Sequence, residues 1–297
     1  MENRPPNLSV VIPFYNEEQC AAFVLGEVRG VLAGLGLAYE IVAVDDGSTD
    51  GTPDALAAAA ENDAGLRVLT LSPNRGQAAA LYWGLNQARG PIVVTMDGDG
   101  QNDPSEIPAL LAALDAADMV VGIRATRRDS WLRRRMSRLA NAVRGRLLRD
   151  HVSDSGCALK VFRREVVESF IPIQTLYSFM PALAVAGGFR VTQQKVRHRP
   201  RRGGASSYGL WKFLWRPLLD LLGVWWFSRR RFALQRTQCR EEGFGADERA
   251  SGEAAPGLLS CAEILDLESG ASATSGQICH GGMTLGYSKP VSRHSMY

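Results

Sequence analysis

Along its first 124 residues the chain alternates short apolar runs with amphipathic stretches. Leu8 to Ile12 is apolar and rich in β-branched residues and is closed by Pro13, the pattern of a buried strand. Apolar residues at Val24, Leu25, Val28, Val31, Leu32 and Leu35 then follow helical spacing, with Glu17 and Glu18 at the positive end of the helix dipole. Gly34 and Gly36 end that helix. Tyr39 to Val44 reads as a second strand, and Thr52-Pro53 opens an alanine-rich helix to about Asn62. Leu66 to Leu71 is a third strand, Gln77 to Ala88 a helix, and Ile92 to Met96 a fourth strand. Pro104 and Ser105 start a helix to about Leu114, and Asp118 to Ile123 is a fifth strand. Strand and helix alternating at this spacing predict an α/β fold: an open, mainly parallel sheet with helices on both faces.

Ligands of such sheets bind at the carboxyl ends of the strands. Each predicted strand end here carries a polar cluster: Tyr15/Glu17, Asp45/Asp46, Asn74/Arg75, Asp97/Asp99 and Arg124. The sharpest is PIVVTMDGDGQND, residues 91 to 103, where the fourth strand ends in two carboxylates separated by Gly98. Side chains two apart on an extended backbone point the same way. Mg²⁺ commonly takes one or two carboxylates and completes its shell with water and substrate phosphates. Asp-Gly clusters are also ordinary turn material, so this stretch alone leaves both readings open. It is not an EF-hand, because with Asp97 first the sixth position is Asn102 and the twelfth Pro108. GLGLAY at 34 to 39 is not a dinucleotide fingerprint, since it closes a helix instead of opening one.

After residue 124 the pattern changes. Residues 124 to 149 hold ten arginines, with Leu132, Met136, Leu139, Val143 and Leu147 on one helical stripe. This is either a core helix with a solvated basic face or a helix lying on anionic lipid. Gly156 to Phe162 and Phe189 to Val196 read as strands, with helices near Arg164 to Phe170 and Ser178 to Ala186. HRPRRGGASSYG, residues 198 to 209, is a basic glycine-rich loop of a kind that can fold over phosphates. Leu210 to Phe227 is apolar and aromatic, but its 18 residues include Lys212, Arg216, Pro217 and Asp220. Too short and too charged to span a bilayer, it reads as an interfacial segment held by Trp211, Trp215, Trp225 and Trp226, with Arg229 to Arg231 toward headgroups.

Composition sharpens this division. The net charge of the 297 residues is +3, yet residues 233 to 297 contain five Lys/Arg against eight Asp/Glu. That tail has no sustained period and holds three of the five cysteines. The expected division is a catalytic domain over 7–209, a membrane-interfacial segment over 210–231, and a poorly packed tail over 232–297, which reads as foreign to the body or frame-shifted. Five cysteines without a CxxC pair make neither a zinc site nor a disulfide framework. The first residues lack a signal peptide's basic start and apolar core, so the expected location is the cytoplasmic side of the membrane. Nucleic-acid binding is disfavoured, because the basic charge sits on amphipathic segments instead of a stacking platform. No feature specifies an oligomeric state.

VIPFYNEE, VDDGSTDGT, NRGQAAAL, MDGDGQNDP, VVGIRATRR and HRPRRGGASSYG, in this order, resemble family 2 glycosyltransferases with the GT-A fold. The likeness is nearest to the dolichol-phosphate mannose synthase group and its bacterial undecaprenyl-phosphate relatives, and it covers about residues 7 to 231. The resemblance implies an inverting, Mg²⁺- or Mn²⁺-dependent transfer of sugar from a nucleotide-diphosphate sugar to a polyprenyl phosphate. It implies that Pro13, Tyr15, Glu17, Val44 and Asp46 hold the nucleotide. Asp97, Gly98, Asp99 and Gln101 match the metal and donor-phosphate motif, Arg124 a donor-side arginine, and Arg201 the loop arginine on the donor phosphates. Ser207 stands where the family loop carries lysine, and a hydroxyl cannot supply that counter-charge. Nearby Arg202 or Lys212 could compensate toward an acceptor phosphate. A glycan hydroxyl acceptor, or a relative that binds without catalysis, remain the alternative readings.

Overall fold

The computed structural model describes residues 5–61, 63–124, 144–200 and 212–231, with side chains in the last stretch from 219 onward. Seven strands form one sheet in the order β3-β2-β1-β4-β6-β5-β7. They are β1 (Leu8–Phe14), β2 (Tyr39–Asp45), β3 (Leu66–Thr70), β4 (Ile92–Thr95), β5 (Met119–Arg124), β6 (Lys160–Arg163) and β7 (Val191–Val196). The helices are α1 (Glu18–Gly34), α2 (Thr52–Glu61), α3 (Gln77–Gln87), α4 (Ile107–Ala113), α5 (Leu176–Ala186) and α6 (Lys212–Arg230). β1 and β2 are buried along nearly their whole length, as expected for continuous apolar runs covered on both faces.

Two apolar layers enclose the sheet. One packs α1, α2 and α4 through Val24, Val28, Leu56, Ile107 and Leu110. The other packs α3, α5 and α6 through Leu81, Leu85, Phe179, Met180, Leu221 and Val224.

β1, β2, β3 and β4 run parallel, and β5 pairs parallel with β7. β6 is antiparallel to both β4 and β5. Six strands therefore deliver their carboxyl ends to one edge, where the polar clusters lie. The reversal of β6 has a local cause. Arg124, the last residue of β5, is bound by Asp154, so the chain re-enters the sheet from the edge at which β5 left it.

Several boundaries differ from those predicted. β6 begins at Lys160, because residues 154–159 form the turn that feeds it. Residues Arg164–Ser169 form a 3₁₀ turn instead of an α-helix, ending where Phe170 becomes extended. The apolar stripe between 132 and 143 lies outside the described residues. At the C-terminal end, α6 turns Leu221 and Val224 inward and leaves Leu219, Leu222 and Trp226 exposed. The expectation that Trp225 and Arg231 face lipid does not hold. Trp225 packs against the inner layer, and Arg231 donates to the carbonyls of Ser169 and Glu168 at 2.6 and 3.1 Å. The helical period sets this, since Trp225 falls on the same arc as Leu221.

Candidate active site

At the end of β4 the chain turns through Asp97, Gly98, Asp99 and Gly100. Asp97 N–H donates to Asn102 Oδ1 at 2.9 Å, and Gln101 N–H donates to Asp99 Oδ1 at 3.0 Å, so the turn closes on itself. Gly98 is required here by space. A Cβ at this position would sit 2.4 Å from Phe14 Cδ1 and 2.9 Å from the Pro13 carbonyl oxygen. The carboxylate turn is thereby seated against the end of β1.

Gln77, the first residue of α3, donates from Nε2 to Asp97 Oδ1 at 2.7 Å. Burial pushes the Asp97 carboxyl up to about 6, with repulsion from Asp99 adding to it; Lys160, the Gln77 hydrogen bond and Arg124 oppose the shift. Two acidic groups that repel one another at one strand end could together hold a cation. Among the described residues no group of three or more His, Cys, Asp or Glu converges on one point. Two carboxylates with an adjacent amide side chain, Gln101, make an oxygen-only and incomplete donor set. Such a set fits a hard divalent cation that completes its shell with water and phosphate oxygens.

A second cluster lies at the end of β2. The buried Asp46 carboxylate accepts from Asn74 Nδ2 at 3.0 Å and from the backbone N–H groups of Arg75 and Gly76, each at 2.8 Å. Burial raises its pKa, against the pull of those two amides. Pro13 and Val44 are register partners in β1 and β2, and both are buried. The Val44 side chain belongs to the apolar layer. Tyr15 is exposed at the end of β1, and the buried Glu17 is fastened through its N–H to Thr52 Oγ1 at 2.9 Å.

At the end of β5, Arg124 is clamped by Asp154 through Nε and Nη2, each at 2.8 Å. The Asp154 carboxylate thereby sets the guanidinium of Arg124. Lys160 was missed altogether. It is fully buried on β6 beside Thr95 and Val121, and its ammonium donates to the Cys157 carbonyl. Burial lowers its pKa, while Cys157, Asp97 and Asp154 favour its charged form. A lysine inside the otherwise apolar run 157–162 was the available signal.

The stem of the basic loop is pinned along the carboxylate turn. Arg199 N–H donates to the Gln101 carbonyl at 2.8 Å, and Asn102 bridges His198. The Arg199 guanidinium reaches both Glu27 and Asp103 at 2.8 Å, and Arg197 holds Glu106 at 2.6 Å. These two arginines are therefore structural. Arg201, Arg202 and Ser207 lie outside the described residues.

The model of the glycosyl transferase family 2 matches residues 9–170, more than half of the chain. The chain belongs to that family. Family membership accounts for the ordered strand-end motifs. Among similar proteins, the undecaprenyl-phosphate 4-deoxy-4-formamido-L-arabinose transferase of Edwardsiella ictaluri (strain 93-146) is 40% identical over 210 residues, covering 70% of this chain and 64% of that protein. The dodecaprenyl-phosphate galacturonate synthase of Rhizobium johnstonii is 36% identical over 228 residues, covering 75% and 67%. The chain thus spans about 64% of the length of the first of these relatives. Among solved structures, a mannosyltransferase from Pyrobaculum calidifontis in complex with GDP-Man and Mn²⁺ superposes with a TM-score of 0.56 at 22% identity, covering 77% of this chain and 66% of that one. Glucosyl-3-phosphoglycerate synthase from Mycobacterium tuberculosis, in complex with Mn²⁺, UDP-glucose and phosphoglyceric acid, gives 0.56 at 20% identity, covering 75% and 79%. These two likenesses carry the fold.

Proposed function

We propose that the protein transfers a sugar from a nucleotide-diphosphate sugar to a polyprenyl phosphate at the cytoplasmic face of a membrane. The observation that carries the reading is one sheet edge bearing Asp97 and Asp99 beyond β4, the Arg124–Asp154 pair at the end of β5 and the Asp46 cradle beyond β2. The relatives named for undecaprenyl- and dodecaprenyl-phosphate transfer support the lipid acceptor. Pro13, Tyr15, Glu17, Val44 and Asp46 line the nucleotide side. Asp97, Asp99 and Gln101 would hold a Mg²⁺ or Mn²⁺ ion, which supplies neutralising charge to the departing diphosphate. Arg124 and Arg201 are assigned to the donor phosphates, and Arg202 with Ser207 to the acceptor phosphate.

The chemistry asks for no general base. A phosphate monoester has its second pKa near 6, so its oxygen is already anionic at neutral pH. That oxygen attacks the anomeric carbon as the bond to the nucleoside diphosphate breaks, and the configuration inverts. The work left to the protein is orientation and charge complementarity. The two-point Asp154 clamp holds the half-buried Arg124 in one orientation, which a solvated arginine would not keep.

The outward stripe of α6, Leu219, Leu222 and Trp226, followed by exposed Arg229 and Arg230, supports peripheral docking on anionic lipid. The two arginines lie over the rings of Trp225 and Trp226 at 4.8 and 5.2 Å. Among the described residues no helix is long and apolar enough to cross a membrane.

The deciding assay presents undecaprenyl phosphate in anionic vesicles, Mn²⁺ and a panel of labelled nucleotide sugars. Label moving into the lipid fraction is expected. Transfer only to a glycan hydroxyl rejects the lipid acceptor, and nucleotide binding without turnover of any acceptor rejects the enzyme.

A further inference from the structure

The segment from Asn74 to Gln77 touches both halves of the site. Its first part is wrapped around Asp46, whose carboxylate takes Asn74 Nδ2 and the Arg75 and Gly76 amides. Asn74 Nδ2 also donates to the Asp46 carbonyl at 2.8 Å. Its last residue, Gln77, opens α3 and holds Asp97. Gly76 makes the change of direction between them at φ +92°, a conformation that side chains other than glycine rarely adopt. Four consecutive residues therefore connect the carboxylate beyond β2 to the carboxylate beyond β4.

The consequence for Asp97 is specific. Its backbone N–H is fixed by Asn102, and one of its two side-chain oxygens is taken by Gln77. The hydrogen bond at Oδ1 restrains rotation of the carboxylate. Gln77 carries no charge, so it can hold Asp97 without competing as an anionic ligand.

We propose that Gln77 is a positioning residue that orients the Asp97 carboxylate for a divalent cation, and that the Asn74–Gln77 segment links cation binding to occupation of the Asp46 side. This rests on the assignment of Asp97 and Asp99 as cation ligands. The segment is rigid because Asp46 collects three of its donors. A nucleotide that presses on the Asp46 cradle thereby presses on the rotamer of Asp97. The reverse also follows, since coupling between two binding events is reciprocal.

The test uses the full-length protein, Mn²⁺ and two probe nucleotides, UDP and GDP. Free Mn²⁺ is measured by electron paramagnetic resonance, and nucleotide affinity by calorimetry with and without Mn²⁺. Gln77→Met keeps the side-chain length and removes the donor; Gln77→Asn keeps a donor that cannot reach. Both variants are expected to weaken Mn²⁺ binding about tenfold, the effect of one hydrogen bond to a charged group. Metal-free nucleotide affinity should stay within about twofold, and the Mn²⁺-induced gain in nucleotide affinity should shrink. Gln77→Asn decides the matter where Gln77→Met does not fold. Unchanged or tighter Mn²⁺ binding in the folded variants overturns the inference and leaves the cation assignment standing. Failure of the unaltered protein to bind Mn²⁺ overturns both.

Discussion

Replacing Asp97 with asparagine removes one charge from the site and keeps its shape, including an oxygen that can accept from Gln77. The folded protein holds the Asp97 proton up to about pH 6, against 3.8 for the free side chain. A raised acid pKa means that the folded state binds the proton more tightly than the unfolded chain. Its contribution to stability is therefore present at low pH and is lost as pH rises from 3.8 toward 6. At pH 7.5 the ionised group costs about 3 kcal/mol, and at pH 5 about 1.5 kcal/mol. These are ceilings, because the side chain keeps some contact with solvent. In the presence of EDTA, Asp97→Asn should melt higher than the unaltered protein at pH 7.5, by roughly 5–10 °C for a domain of this size. The gap should narrow by about half at pH 5. Added Mn²⁺ should raise the melting temperature of the unaltered protein and leave the variant unmoved. A variant no more stable at pH 7.5, or a gap of the same size at both pH values, would refute the picture of a carboxylate strained first by burial and then by its neighbour Asp99.

Three further outcomes follow from the same geometry. Asp99→Ala should abolish Mn²⁺-dependent transfer and Mn²⁺ binding while the protein still folds; full activity would remove Asp99 from the cation site. Gly98→Ala should cost about 1–3 kcal/mol in denaturant unfolding, because its Cβ would lie 2.4 Å from the Phe14 ring. A variant as stable as the parent would show that the turn is not seated on β1 as described. Ending the chain after Arg231 should leave lipid glycosylation intact in the vesicle assay, and loss of activity would make residues 232–297 part of the enzyme.

The positions of the strands were legible because each is a continuous apolar run closed by polar residues, and the clustering of Asp46, Asp97 and Arg124 at one edge followed from the parallel arrangement. The direction of β6 was not legible. Lys160 to Arg163 would pair as well in either sense, and the deciding contact, Arg124 with Asp154, joins residues thirty positions apart. Lys160 itself looked like one charge in a strand; only its full burial beside the site distinguishes it. Gln77 sits in an alanine-rich helix start, and nothing local announces that it meets Asp97 twenty positions on. Aromatic content alone sent Trp225 and Trp226 alike toward lipid, whereas the helical period turns Trp225 to the inner layer and Trp226 to the surface.

The fastening of α6 has a mechanical consequence. Asp220 accepts from the Thr175 hydroxyl, and Arg231 grips the carbonyls of Ser169 and Glu168. The two fastenings stand about three helical turns apart, roughly 16 Å along the axis. A single attachment would let the helix swing, but two set this far apart on nearly the same face fix its direction across the domain. In the proposed docking on lipid, that fixed direction turns the depth to which Trp226 sinks into a fixed height and tilt of the sheet edge above the bilayer. A slip of one residue would rotate the outward stripe by about 100° and aim the carboxylate turn away from where lipid phosphates lie.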